Sequence, residues 1–457
     1  MRNYNDSSAR DAAARLLSLV NRVTILREKE PSDALKLLAG AAECIINGDC
    51  MGAYIKHCAL CRALIKSTAR RVSGSIFTDY LIHLAVGYEH SFALSSATGM
   101  LDEAQLMLFR SDLSALGELS TLDSADISRM TMQRSRELNS RSRYAKDDIS
   151  VMSTAAWGGT EPKPMPHNKE AMPAEAALQP PAEGEWPAWS YGEKGMRGEY
   201  AADEVLEEIY ISLTESDNWK SAAQDLFNLF ASSGTGVLLR SRTLECRTDG
   251  QRAWLEEAAQ NECAVQLSCQ EKARQTLGEQ VIAFMRGAKP SCVLIYGPEA
   301  MGKATLARAM ADEFPELRLI QACPMNGAEI RSLFAYLGAQ PLRFMLLMEN
   351  ADTYSPAWRA LLNECTGAAV PQNVMCVATS SSSAGFAGFP VRIALENMEL
   401  DAFAKTAEEL SAARAPYIDT DAAWIRNAAV DYQLDPHDEF NVSSASLIAA
   451  RFIAAHE

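Results

Sequence analysis

The chain has 457 residues, of which 48% are hydrophobic and 22% are charged. This length allows two or three domains, and the composition is ordinary for a globular protein with a buried core. The formal net charge is −16, from 43 basic and 59 acidic residues, and no basic block interrupts the sequence. This balance argues against nucleic acid as a direct partner.

Cysteine usage and hydropathy bear on the compartment. No stretch approaches the roughly 18 consecutive apolar residues of a membrane span, and the first residues lack the apolar core of a secretion signal. The 11 cysteines are scattered through apolar segments, which favours reduced thiols over a disulfide framework. We therefore expect a cytoplasmic protein with no contact to the membrane.

Residues 1–145 are predicted to form an all-helical N-terminal domain. Leu16, Val20 and Val23 recur at helical spacing. Further helices are expected at 31–47, 51–71, 77–97 and 101–119. Since no repeat of fixed period is visible, a solenoid is not predicted. We expect this domain to bind a protein partner.

One cysteine pair in this domain has the spacing of a metal-binding motif. Cys58 and Cys61 are separated by two residues, and His57 is adjacent. Yet Tyr54, Cys58, Cys61 and Ile65 also recur at helical spacing and would form one stripe of one helix. Buried cysteines commonly act as small hydrophobic residues, so core packing is favoured over a metal or iron–sulfur site.

A change of composition marks residues 146–200 as a linker. Seven of the 18 prolines lie in it, among Gly, Ala, Glu and Ser. Such a segment is typical of an extended and partly disordered chain. Trp186, Trp189 and Tyr191 near its end either dock on one of the domains or bind a partner, and docking is favoured.

Residues 201–400 are predicted to form an α/β domain. Helical periodicity runs from 201 to 230 and again from 269 to 286, and short apolar segments then alternate with helical ones. Strands are expected at 293–296, 317–321, 343–348 and 373–378, with helices at 304–312, 329–337 and 356–365. This alternation indicates a three-layer fold with a parallel sheet covered on both faces. Residues 401–457 are expected to form a small helical lid.

The first strand of this domain leads into a phosphate-binding motif. Gly297 and Gly302-Lys303 have the spacing of a P-loop, or Walker A motif, between a strand and a helix. In such a loop the backbone amides and the helix dipole attract phosphates, and the lysine reaches the β- and γ-phosphates. The predicted nucleotide-binding residues are Gly297, Pro298, Glu299, Ala300, Met301, Gly302, Lys303, Ala304 and Thr305.

The motif departs from the usual pattern immediately after its lysine. A P-loop has Ser or Thr there, whose hydroxyl binds Mg²⁺, whereas this chain has Ala304. Thr305 follows, but one step along a helix turns a side chain by about 100°. Thr305 therefore does not simply replace the missing ligand, and we expect the metal site to be weakened.

The second half of a nucleotide site is expected at the end of a neighbouring strand. Residues 343–348 lead to Glu349, which is the predicted Mg²⁺ ligand, and to Asn350, where a catalytic carboxylate would stand. An amide binds water but does not take up its proton. The next strand ends in Thr379–Ser383, whose hydroxyls could face the γ-phosphate.

Together these motifs resemble the AAA+ ATPase pattern. More narrowly, residues 205–455 resemble an uncharacterised bacterial family of AAA+-type ATP-binding proteins, domain of unknown function 815. The resemblance implies ATP as the cofactor, weakly bound Mg²⁺ and a possible oligomer. It also implies that Arg392 is either a finger reaching a neighbour's γ-phosphate or a surface arginine, and that Leu447 replaces the nucleotide-sensing arginine of the lid.

Relative to that family, Gly297, Gly302 and Lys303 match, whereas Glu349 and Asn350 replace two aspartates. The binding parts are thus retained, while a degenerate Walker B segment and Ala304 weaken hydrolysis. The sequence therefore predicts an ATP-binding protein with weak or absent ATPase activity. Two alternatives stay open: a pseudo-ATPase scaffold for protein interactions, and an active ATPase whose site is completed by a neighbouring subunit.

Overall fold

The structure is a computed structural model, and it describes residues 8–28, 32–67, 72–154, 180–189, 204–216, 218–258, 265, 267–433 and 440–456. The chain forms two compact units, Met1–Phe230 and Ala231–Glu457. Most of the predicted linker, including Tyr191, lies outside the described residues. None of the helices in the described ranges is long and apolar enough to cross a membrane.

The first unit is helical, as predicted. Its helices are α1 (Ala9–Arg22), α2 (Ala34–Asn47), α3 (Cys50–Ile65), α4 (Ile76–Val86), α5 (Ser91–Ala97), α6 (Glu103–Leu119), α7 (Ser124–Thr154), α8 (Glu204–Glu215) and α9 (Ala223–Ser233). Helix α7 continues past 146, where a linker was predicted. The reason is that 124–154 contains neither Gly nor Pro to end a helix.

The boundary between the units lies after Phe230, whereas the α/β domain was predicted to begin at 201. Residues 204–230 belong to the helical unit because their apolar side chains are buried there. Trp219 is 1% exposed and lies against Gly117 of α6, where a Cβ on the glycine would come within 3.1 Å of the indole. A glycine on α6 thus makes room for the tryptophan.

The predicted stripe on α3 is only partly the buried face. Cys61 is buried, but Ile65 is exposed, and the buried side of the helix is formed by Ala53, His57, Leu60, Cys61 and Leu64. Burial raises the pKa of the Cys61 thiol to about 12, which keeps it protonated. Within the described residues no cluster of three potential metal ligands occurs. Core packing therefore describes Cys61 better than metal binding.

The aromatic residues that follow the proline-rich segment dock on this unit, which confirms the prediction for Trp186 and Trp189. The Trp186 ring lies 5.1 Å from that of Tyr54, and Trp189 is buried with its ring 5.4 Å from that of Phe77. Between them, the carbonyl oxygen of Pro187 lies 2.7 Å from Nε2 of the buried His57. The short segment 180–189 is thereby fixed to α3 and α4.

The second unit contains a seven-stranded sheet in the order β2-β1-β4-β5-β6-β3-β7. The strands are β1 (Thr243–Thr248), β2 (Ala253–Glu257), β3 (Val293–Tyr296), β4 (Leu317–Gln321), β5 (Arg343–Met348), β6 (Val374–Ser380) and β7 (Val391–Ala394). All neighbouring pairs are parallel except β1 with β2. Strands β3 to β6 are those predicted, whereas β1, β2 and β7 were missed.

The helices of the second unit are α10 (Val237–Arg240), α11 (Glu271–Met285), α12 (Lys303–Glu313), α13 (Gly327–Gly338), α14 (Pro356–Thr366), α15 (Leu400–Arg414), α16 (Ala422–Gln433) and α17 (Val442–His456). Two apolar cores lie on opposite faces of the sheet: one contains α11, α12 and the helices after residue 400, and the other α13 and α14. Alternate residues of β5 enter opposite cores, which requires helices on both faces. The predicted three-layer α/β fold with a helical lid is thus confirmed.

Candidate functional site

Three parallel strands end side by side at one edge of the sheet, and the predicted site residues follow them. Tyr296 of β3 pairs with Ser380 of β6, and Met348 of β5 pairs with Ala378 of β6. Strand β6 lies between β3 and β5, so the strand that leads to Glu349 is not the direct neighbour that was expected. The carboxyl edge of an open parallel sheet is where such folds bind ligands.

The loop between β3 and α12 needs its two glycines. Gly297 has φ +145°, and a Cβ there would lie 2.0 Å from the carbonyl oxygen of Leu395. Gly302 has φ +75°, and a Cβ there would lie 2.7 Å from Nε2 of Gln270. A side chain is therefore excluded at Gly297 by a backbone atom, whereas at Gly302 it would be strained by the positive φ and would displace the Gln270 side chain. The loop consequently has the tight shape that lets backbone amides approach a phosphate.

Lys303 lies within this loop. It is 7% exposed, and its Nζ donates to the carbonyl oxygens of Gly297, at 2.9 Å, and Pro298, at 2.5 Å. Burial lowers the pKa of the ammonium, and the neighbouring carboxylate of Glu299 partly opposes that shift. The lysine thus carries a poorly solvated positive charge, which favours pairing with an anion.

The N-terminus of α12 adds amide donors beside this ammonium. Helix α12 begins at Lys303, and its N-cap Gly302 has no side chain that could accept from the first-turn amides. The amides of the first turn have no partner within their own helix, and the helix dipole makes that end positive. A buried ammonium, amides without a side-chain cap and a glycine turn thus lie together, which is the combination of groups that attracts anions.

Residues outside the motif support the loop. The side chain of Gln270, which is buried at the start of α11, donates from Nε2 to the carbonyl oxygen of Met301 at 2.6 Å. The Met301 side chain enters the core beneath the loop. From the lid, the amide of Ser443 donates to the carbonyl oxygen of Ala300 at 3.3 Å. These roles could not be predicted from the sequence, because the contacts join residues that are 31 to 143 positions apart in the chain.

The predicted metal ligand Glu349 is bound by an arginine. Nη2 of Arg308, on the second turn of α12, donates to Oε1 of Glu349. Ala304, at the position of the usual Ser or Thr, offers no oxygen from its side chain. In a P-loop ATPase the Mg²⁺ ion is held by that hydroxyl together with a carboxylate. The residues present therefore do not fit a P-loop magnesium site. The sequence had predicted a weak Mg²⁺ site with Glu349 as its ligand.

Asn350 occupies a special backbone position in the turn after β5. Its φ is +48°, which Asn tolerates better than most residues. The backbone amide of Asn350 donates to Oγ1 of Thr379 at 2.9 Å, and the backbone amide of Ala351 donates to the carbonyl oxygen of Thr379 at 2.8 Å. These bonds hold the turn against the end of β6. At that place the side-chain amide of Asn350 cannot act as a general base near neutral pH.

The serines after β6 belong to the same edge. The carbonyl oxygen of Ser380 accepts from the amide of Gly297 at 3.3 Å, which ties β6 to the start of the loop. Oγ of Ser380 accepts from the amide of Ser382 at 3.4 Å, and Oγ of Ser382 accepts from that of Ala384 at 3.1 Å. These hydroxyls thus stabilise their own turn.

Arg392 and Leu447 are the two residues that the family resemblance singles out beyond the loop. Arg392 is on β7 and pairs with Leu294, so it is set back from the carboxyl edge of the sheet. Its Nη2 and Nε donate to the carbonyl oxygens of Phe386, at 3.1 Å, and Phe389, at 3.3 Å. These bonds give it a local structural role, and a role toward a neighbouring subunit stays a prediction. Leu447 is exposed on α17.

The site thus consists of a glycine turn and a buried lysine at the carboxyl edge of a parallel sheet. Residues 247–383 of this chain match the family described as Protein of unknown function (DUF815). This match confirms, for that segment, the resemblance seen in the sequence. No curated protein matches this chain.

Solved structures with similar folds include three named proteins. The Thermotoga maritima RuvB Holliday junction branch migration motor is 16% identical, with 42% of this chain and 70% of that chain covered and a TM-score of 0.29. The Aeropyrum pernix ORC1 protein in complex with DNA is 15% identical, covering 41% and 66%, with a TM-score of 0.28. C. elegans PCH-2 is 10% identical, covering 42% and 70%, with a TM-score of 0.27. At these values the likeness assigns no ligand or activity to this chain.

Proposed function

We propose that the unit Ala231–Glu457 is an AAA+-type ATP-binding module. The observation that carries this proposal is the placement of Lys303: a buried ammonium bonded to the loop carbonyls, beside the uncapped N-terminus of α12. A lysine is costly to bury without an anion or strong acceptors near it. In the proposed complex the loop amides and Nζ of Lys303 hold the β- and γ-phosphates.

We propose further that hydrolysis is slow or absent. Phosphoryl transfer depends mainly on positioning and on electrostatic stabilisation of the transition state. This chain has Ala304 in place of a hydroxyl, Asn350 in place of a carboxylate, and a Glu349 carboxylate bound by Arg308. Losing one such stabilising group costs on the order of 3 kcal/mol, or about a hundredfold in rate. Several losses together would leave binding without useful turnover.

Thermal unfolding of the full chain with and without ATP tests the binding proposal. A ligand at about a hundred times its Kd stabilises the folded state by about 2.7 kcal/mol, which raises the Tm of a unit of this size by roughly 5–10 °C. We expect this shift for the natural chain. Lys303→Ala should abolish it, whereas Lys272→Ala, on an exposed part of α11, should not. An unchanged Tm at millimolar ATP would contradict ATP binding and would support the alternative of a protein scaffold that binds no nucleotide.

Phosphate release in the steady state tests the second proposal. We expect the natural chain to release phosphate no faster than Lys303→Ala. A rate clearly above that of Lys303→Ala, and lost in Glu349→Ala, would support an active ATPase instead. That alternative would also require Arg392 or another residue from a neighbouring subunit to complete the site.

The helical unit Met1–Phe230 is proposed to bind a protein partner. Apolar side chains at and near the start of α6 are exposed to solvent, namely Met100, Met107 and Leu108. Exposed apolar side chains of this size favour protein contacts when they form a common patch.

The described cysteines are all free thiols, which supports a reducing compartment such as the cytoplasm.

A further inference from the structure

Arg308 links the two elements that hold the metal ion in a P-loop ATPase. It lies on α12, which begins at the phosphate loop, and its guanidinium bonds the carboxylate of Glu349 at the end of β5. A bound Mg²⁺ would need that carboxylate and a hydroxyl at position 304. In this chain the Glu349 carboxylate already binds the Arg308 guanidinium, and position 304 is an alanine without a hydroxyl.

Helix geometry places the Arg308 side chain beside Ala304. The two residues are four positions apart, so they lie on one face of α12, with their Cα atoms about 6 Å apart along the axis. Long side chains in a helix lean toward its N-terminus. Both tendencies direct the Arg308 side chain toward the first turn of α12, where position 304 carries only a methyl group. A residue with a larger side chain at 304 would compete for this space.

The Arg308 guanidinium also has the properties needed to compensate phosphate charge. It is permanently positive, and its fork has five donors, of which Glu349 uses only part. Nε of Arg308 is buried and has no hydrogen-bond partner among the described residues, so a donor to phosphate would have to come from the two terminal nitrogens of the guanidinium. The side chains of Arg308 and Glu349 are 26% and 31% exposed, so they lie at the border of the solvent.

We propose that Arg308 stands in for the divalent cation, so that this module binds nucleoside triphosphate without Mg²⁺. The inference rests on the proposed nucleotide-binding function and specifies its cofactor requirement. The carboxylate of Glu349 holds the guanidinium in place, and the guanidinium balances part of the triphosphate charge beside Lys303. Mg²⁺ would have to displace Arg308 from Glu349 to gain a single protein ligand.

Titration of the full chain with N-methylanthraniloyl-ATP, in excess EDTA and in millimolar Mg²⁺, tests this inference. We expect the two Kd values of the natural chain to agree within about threefold, which corresponds to less than about 0.7 kcal/mol. Arg308→Ala should weaken binding in EDTA by about tenfold or more. Added Mg²⁺ should restore part of that loss, because Glu349 becomes free.

Two further variants act as controls. Arg331→Ala removes the same charge from an exposed position on α13 and should leave both Kd values unchanged. Arg308→Lys keeps a cation and should lose less affinity in EDTA than Arg308→Ala. The metal titration of the natural chain needs no substitution, so the inference stays testable even if Arg308→Ala fails to fold.

The outcomes separate this inference from the function on which it rests. Binding by the natural chain that weakens about tenfold or more in EDTA would overturn the role of Arg308 and leave ATP binding intact. Equal Kd values for Arg308→Ala and the natural chain in EDTA would overturn it as well. If the natural chain binds the probe neither with nor without Mg²⁺, the proposed function fails and this inference fails with it.

Discussion

Ala300 offers a test of whether the phosphate loop has the backbone described above. It is exposed, in the middle of the loop, and has φ +57°. For an L-residue other than glycine this left-handed conformation costs roughly 1–2 kcal/mol. Glycine adopts it freely but has more freedom in the unfolded chain, which costs it about 0.5–1 kcal/mol. Because the methyl group is exposed, little packing is lost when it is removed.

Ala300→Gly should therefore stabilise the second unit by about 0.5–1 kcal/mol. In a unit of this size such a gain raises the Tm by about 2 °C. Differential scanning calorimetry of the full chain measures the shift. Ala304→Gly is the matched control, because it removes a methyl group from a helical residue four positions away. The control should lower stability by up to about 1 kcal/mol.

The same loss of stability in both variants would refute the reasoning. It would mean that position 300 has an ordinary negative φ, so that glycine there only increases the freedom of the unfolded chain. The left-handed turn, and with it the inward orientation of the loop amides, would then be wrong. A gain in Ala300→Gly together with a loss in Ala304→Gly supports the loop as described.

A close backbone contact and the burial of two side chains lead to three other predictions. Gly297→Ala should destabilise the second unit by more than about 2 kcal/mol in calorimetry, because its Cβ would meet the carbonyl oxygen of Leu395; no loss would contradict the contact. Burial lowers the pKa of His90 to about 4, so the helical unit should keep its stability above pH 6.5 and lose up to about 3 kcal/mol as the pH falls to 4. Urea midpoints measure that loss, and His90→Asn should flatten it. Trp189→Ala should cost the helical unit about 3 kcal/mol by urea unfolding, and Trp186→Ala clearly less, because only Trp189 is fully buried.

The central part of the fold could be predicted from the sequence because its signals are local. Strands β3 to β6 are short apolar runs between helical segments, and the glycines of the loop have a fixed spacing. Strands β1 and β2 were missed because β2 is an edge strand with mostly exposed residues and little apolar periodicity. The Asp249-Gly250 pair between them was a usable hairpin signal.

The candidate site was predictable in its residue types but not in its contacts. Position 304 and the pair Glu349-Asn350 stand out by comparison with the P-loop pattern. That Arg308 binds Glu349 could not be read from the sequence, because β5 and α12 are brought together only by the order of strands in the sheet. Gln270 was likewise invisible, since a glutamine at the start of a helix is an ordinary surface residue.

Isothermal titration of the full chain with ATP tests the central claim most directly. Hydrogen bonds to charged groups contribute about 1.5–3 kcal/mol, so Lys303→Met, which keeps the apolar stem and removes the charge, should weaken binding about 10- to 100-fold. Lys272→Met should bind as the natural chain does. If the natural chain gives no binding isotherm, or if Lys303→Met binds ATP equally well, the loop at 297–303 does not hold a nucleotide.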